Sequence, residues 1–104
     1  MNPEALMQVT NVNDTERVQV TTGIYRQDLP ATDRARAWVI DFEPGSEWPS
    51  VDVHEDEERY YVLEGEVIEG DDRHGVGSYV VFAPGSSHRP RTDVGARMLG
   101  INIA

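Results

Sequence analysis

The segment DVHEDEE, residues 52 to 58, sets five carboxylates around one histidine. Two positions apart on a strand, Asp52 and His54 project from the same face, while Val51 and Val53 face the other way. The pair can therefore chelate one ion. Glu58 lies four residues beyond His54, with Tyr60 and Val62 continuing its face along RYYVL. If residues 59 to 63 pair beside the strand that carries Asp52 and His54, Glu58 joins them. His88, after the APGSS turn, is the fourth candidate ligand. Imidazole and carboxylate are donors that iron(II), manganese, nickel and zinc accept in an N/O site. The opposing reading is a solvated charge run ending a strand and a surface histidine after a Pro-Gly turn, and residue types alone favour it.

The elements that must position these groups read as strands. LMQVTNV, RVQVTTGIY, RAWVIDF, RYYVLEGEVIEG, GSYVVFA and ARMLGINIA alternate with spacers rich in Pro, Gly, Asp and Ser. No window sustains a 3.6-residue apolar period. A short turn around Pro3 to Met7 is the one helical candidate. Many short strands at this spacing imply an all-β sandwich or barrel in one domain of 104 residues. Residues 71 to 75 are expected to form an exposed hairpin turn, which makes His74 a turn residue rather than a ligand. Trp38 and Phe42 are assigned to the core. Trp48 is placed either at the pocket mouth or on the outer surface.

Composition narrows the partners. Formal charge is −10, with nine arginines and no lysine, so nucleic acid and anionic membranes would be repelled. A small-molecule or protein partner follows. Without cysteine there is no disulfide, thiolate ligand or cysteine nucleophile. The N-terminal residues show no basic segment followed by an apolar run, and no stretch reaches membrane-spanning length, which predicts a cytoplasmic protein. Arg89 and Arg91, flanking Pro90, are expected to pair with nearby carboxylates more readily than to attract an anionic substrate.

The spacing carries more than the residue types. Gly45, Asp52, His54, Glu58 and Gly65 give G-x6-D-x-H-x3-E-x6-G, and Gly77 to His88 give G-x5-A-P-G-x2-H. These resemble the two cupin motifs, G-x5-HxH-x3,4-E-x6-G and G-x5-PxG-x2-H-x3-N. VLEG, a short acidic hairpin, GSYVVFAPGSSHRP and a closing glycine-containing strand look most like the ChrR-type branch, which includes small acetylacetone-dioxygenase-like proteins. The chain departs from the pattern in three places: Asp52 stands at the first histidine, Pro84 is shifted by one, and Thr92 occupies the final Asn position.

This resemblance, which covers residues 35 to 104, implies a small double-stranded β-helix, the cupin jelly-roll barrel, with residues 1 to 34 adding N-terminal strands. It implies one divalent transition metal, Fe, Mn, Zn or Ni, held by Asp52, His54, Glu58 and His88. The expected activity is that of a metal-dependent small-molecule enzyme. It is either a dioxygenase cleaving a diketone or phenolic compound, or a non-redox isomerase, cyclase or lyase with Glu58 or Tyr60 moving protons. Tyr60 is read equally as a core tyrosine. The alternative is a metal- or ligand-sensing module without catalysis. It ranks second because residues 1 to 34 hold nothing that could form a helical sigma-binding domain. A metal-free reading, with Asp52, Glu58 and His88 as acid and base groups, ranks last; in it Asp52 and Glu58 repel, raising the pKa of one. Uncovered N-terminal strand edges imply a homodimer.

Overall fold

Alternating apolar residues fold the chain into nine antiparallel strands in the computed structural model, which describes residues 7 to 104. They are β1 (Val18–Thr21), β2 (Ile24–Asp28), β3 (Ala35–Phe42), β4 (Asp52–Val53), β5 (Glu57–Glu69), β6 (Asp72–Gly75), β7 (Tyr79–Phe82), β8 (Ser87–His88) and β9 (Ala96–Ile103). The larger sheet runs β1-β2-β3-β9-β5-β6, with β7 on the other edge of the first part of β5. Strands β4 and β8 form the smaller sheet. The result is the expected all-β jelly roll.

Most of the inward face is apolar. Ile24, Trp38, Ile40, Phe42, Tyr60, Val62, Val67, Ala96 and Met98 form one buried cluster. Across the central strands, Trp38 faces Gly100, which faces Tyr60. A side chain at Gly100 would overlap the Trp38 indole, so only glycine lets the ring lie across β9. Gly65 is fixed by backbone: its φ is +71°, and a Cβ there would run into the carbonyl of Gly95.

Several local expectations are corrected. Within LMQVTNV, whose Leu6 lies outside the described residues, residues 7 to 11 lack regular structure and Val12–Asp14 form a 3-10 turn in place of the expected strand. The Asn11 side chain accepts from Asn13 N at 2.9 Å and outcompetes strand pairing. Residues 3 to 6 of the expected Pro3–Met7 turn lie outside the described residues, and Met7 is irregular. The hairpin turn is tighter than expected. Gly70, with φ of +61°, and Asp71 connect Glu69 to its partner Asp72, so residues 72 to 75 are strand. His74 is thus a half-buried strand residue opposite Val67, away from the ligand candidates.

Candidate metal centre

Pairing of β4 with β8 sets Asp52 opposite His88. His54 follows directly, held where its N–H donates to Ser86 O at 2.9 Å and its carbonyl accepts from Gly85 N at 2.8 Å. The expected pairing of β4 with residues 59 to 63 does not occur. Strand β5 pairs with β7 and β9 instead, and Glu58, opposite Phe82 and Asn102, reaches the two histidines across the barrel. Val51 and Val53 point to solvent, as alternation requires.

Four donor atoms converge. His54 Nε2 lies 3.3 Å from Asp52 Oδ2 and 2.9 Å from Glu58 Oε2. His88 Nε2 lies 3.4 Å and 3.3 Å from the same two oxygens. All four atoms fall within 4.8 Å of one another. His54, Glu58 and His88 are enclosed, while Asp52 is the most accessible member. The Phe82 ring packs against both imidazoles, with centroids 5.0 Å from His54 and 4.3 Å from His88.

Outer contacts decide which nitrogens face inward. The Ser86 hydroxyl donates to Ala83 O at 2.6 Å, so its oxygen is free to accept from His54 Nδ1 at 3.1 Å. Glu69 Oε2 accepts from His88 Nδ1 at 2.6 Å. Both Nε2 atoms are thereby turned toward the centre. Glu58 is also held, since Asn102 Nδ2 donates to its Oε1 at 3.2 Å and Trp38 Nε1 donates to Asn102 Oδ1 at 2.8 Å. His54 Nε2 is completely buried yet has no hydrogen-bond partner, although Glu58 Oε2 lies 2.9 Å away. A buried acceptor without a donor is costly. Two imidazoles and two carboxylates converging around it fit a divalent transition ion.

Charge follows from the same contacts. Burial pushes the Glu58 carboxyl up, but hydrogen bonding with His88, the nearby imidazoles and Asn102 outweigh it and hold it below its ordinary value. Glu58 is therefore not a carboxyl raised by like-charge repulsion. Burial lowers the His88 pKa, yet Glu58 and Glu69 overcome that and raise it to about 9. Burial, with Glu69 and Glu58 nearby, drives Tyr60 strongly upward and keeps its hydroxyl neutral. That hydroxyl donates to Glu69 Oε2 at 3.3 Å from a core position.

A tight cleft adjoins the centre, lined by Trp38, Ile40, Trp48, Tyr60, Met98 and Arg26, among others. It adjoins a roomier outer cleft, which shares Arg26, Trp48, Asp52 and Glu58 with it and is reached by Arg36, Glu55 and Asp56. Trp48 is therefore at the mouth, and Trp38 belongs to the core and the pocket wall together. Arg89 and Arg91 stay outside both clefts, pairing with Glu47 at 3.3 Å and Asp93 at 3.6 Å. Ser86, Glu69, Asn102, Arg26 and Arg36 were not singled out from the sequence.

A profile of the ChrR cupin-like domain matches residues 6–101. No curated protein sequence matches. Among solved structures, an RmlC-like cupin from Shewanella frigidimarina is 23% identical with a TM-score of 0.83, covering 93% of this chain and 90% of its own. The polyketide cyclase RemF from Streptomyces resistomycificus is 21% identical with a TM-score of 0.81, covering 94% and 80%. An acetylacetone dioxygenase from Acinetobacter johnsonii is 14% identical with a TM-score of 0.82, covering 93% and 74%. At these identities the three structures establish the fold alone.

Proposed function

The chain belongs to the ChrR cupin-like domain family, and from that premise we propose that it is a metal-dependent enzyme acting on a small molecule. Asp52, His54, Glu58 and His88 would hold one divalent transition metal, Fe, Mn, Zn or Ni. The observation that carries this reading is the buried, unpartnered His54 Nε2 among four converging donors. A bound ion would supply Lewis acidity toward a carbonyl or enol oxygen and, as iron(II), the capacity for oxidative carbon–carbon cleavage of a diketone or phenolic compound.

The chain's own groups define the remaining roles. Glu58 Oε1 is tied to Asn102, which leaves Oε2 facing the pocket as a fixed ligand and proton acceptor. Tyr60 lines the cleft with a neutral hydroxyl, which can donate toward a substrate oxygen while Glu69 accepts at rest. The Trp38 and Trp48 indoles and the Met98 side chain exclude water from one side of the cleft. A cyclase or isomerase reaction needs only this proton transfer and positioning, whereas a dioxygenase reaction also needs iron and oxygen.

The second reading, a ligand-sensing module, draws on the outward face of the larger sheet. Tyr61, Tyr79, Val81 and Leu99 are exposed there, on adjoining strands β5, β7 and β9. A second copy could cover that apolar face or pair at the β1 edge, forming a homodimer.

Separate loading with Fe, Mn, Zn and Ni, followed by oxygen uptake and product analysis with acetylacetone and with enolisable polyketide analogues, tests the enzyme reading. Metal-dependent turnover lost in His54→Ala is the expected result. Ligand binding without turnover by any metal form would favour the sensing module.

A further inference from the structure

Building on the proposed metal centre, we infer that the pocket selects a small planar molecule carrying a carboxylate, which Arg26 grips while the opposite end of the molecule faces the metal ligands. Arg26 lies on β2, inward of the barrel, and lines both the inner cleft and its outer extension. Its guanidinium stacks 5.5 Å from the Trp38 ring, and its Nε donates to Asp28 Oδ1 at 2.8 Å. Its two terminal nitrogens have no protein partner among the described residues. By contrast, Arg59, Arg73, Arg89 and Arg91 all spend terminal nitrogens on carboxylates. A guanidinium held by its Nε and one ring face presents a free two-donor edge, the geometry that binds carboxylate bidentately.

Charge and shape agree with that ligand. Asp52 and Glu58 together match the two charges of a divalent ion, and the Glu69 carboxylate behind His88 adds a negative charge, so attraction for an anion has to come from elsewhere in the cleft. The positive charge in the cleft comes from Arg26 and Arg36, the latter in the cross-strand row Arg36, Asn102, Glu58. Glu55 and Asp56 on the outer lip oppose it, but both are exposed and solvated, whereas the Arg26 side chain is only 30% accessible. Trp38, Trp48, Ile40 and Met98 give the inner cleft an apolar wall. A planar molecule in the outer cleft, which Arg26, Trp48, Asp52 and Glu58 all line, meets the Trp48 edge of that wall.

Two probes that share a catechol ring isolate the carboxylate: 3,4-dihydroxybenzoate and its neutral counterpart 4-methylcatechol. Titration into zinc-loaded protein, followed by tryptophan fluorescence with zinc content measured on the same samples, should show the benzoate binding at least about tenfold tighter. Arg26→Gln should abolish that preference and leave 4-methylcatechol affinity unchanged, which also reports an intact pocket. Arg26→Lys should restore part of it. Equal affinities in the wild type, or a preference that survives Arg26→Gln, would overturn the inference. If no zinc binds, the same titration in metal-free protein separates the two ideas. A preference dependent on Arg26 then upholds carboxylate recognition while the metal centre fails, and no preference there sinks both.

Discussion

Glu69 Oε2 lies 2.6 Å from His88 Nδ1, so a carboxylate eleven residues beyond Glu58 in the chain fixes the imidazole that faces it. The same oxygen accepts from Tyr60. Glu69→Ala would leave a buried Nδ1–H without an acceptor and free the ring to turn, and metal affinity should fall by about 10- to 100-fold. Glu69→Gln can still offer an amide oxygen and should lose much less. Competition with a chelator of known affinity measures both, and equal loss in the two variants would argue for bulk structural damage instead.

Metal uptake should depend on pH through His88. Its pKa in the folded, metal-free protein is raised from 6.5 to about 9, so its protonation stabilises that form fully below about 6.5 and the contribution fades as pH climbs to about 9. Glu58 has the opposite sign. Its pKa lies below 4.5, so its contribution is present above that value and is lost as acid protonates it. A metal must displace the His88 Nε2 proton, so apparent affinity should rise from pH 6.5 to about 9, with roughly one proton released per ion near pH 7.5. Calorimetry in buffers of different ionisation enthalpy counts that proton.

The visibility of the site from sequence ended where local rules stop. Asp52, His54, Glu58 and His88 lay in spaced motifs, and two-residue alternation placed Glu58, Tyr60 and Val62 on one inward face. Carried further, the same alternation puts Glu69 outside. A register shift between Val62 and Glu64 reverses the parity of β5, bringing Val67 and Glu69 inward. Gly65, with φ of +71°, is the one sign of that bulge in LEGE, since a glycine inside a strand often marks one. The partnership of β4 with β8 was hidden, because thirty-odd residues separate them and pairing over that distance is a property of the whole barrel.

Gly100→Ala tests how far the core positions the centre. The added methyl would overlap the Trp38 ring, which is buried and bonded through Asn102 to Glu58. Overpacking of this kind costs about 1–3 kcal/mol, so the midpoint of thermal unfolding should drop by about 4–8 °C for each kcal/mol. Metal affinity should weaken with it. Unchanged stability and affinity would mean that the indole can move without disturbing Glu58.

Asp52→His tests whether Asp52 would set the choice of metal. This aspartate is the most accessible of the four groups and sits within 3.4 Å of both Nε2 atoms. Asp52→His exchanges a hard anionic donor for imidazole, and nickel and zinc should bind tighter relative to manganese. Parallel titrations with the three ions check the order, and an unchanged ranking would indicate that Asp52 does not touch the ion.

The most direct measurement is metal content by mass spectrometry on untagged wild-type protein beside His54→Ala and His88→Ala. The account predicts about one equivalent of a transition metal in the wild type and its loss from both variants, all three remaining folded. Wild-type protein that binds no such metal even after reconstitution, or variants that hold as much as the wild type, would contradict it.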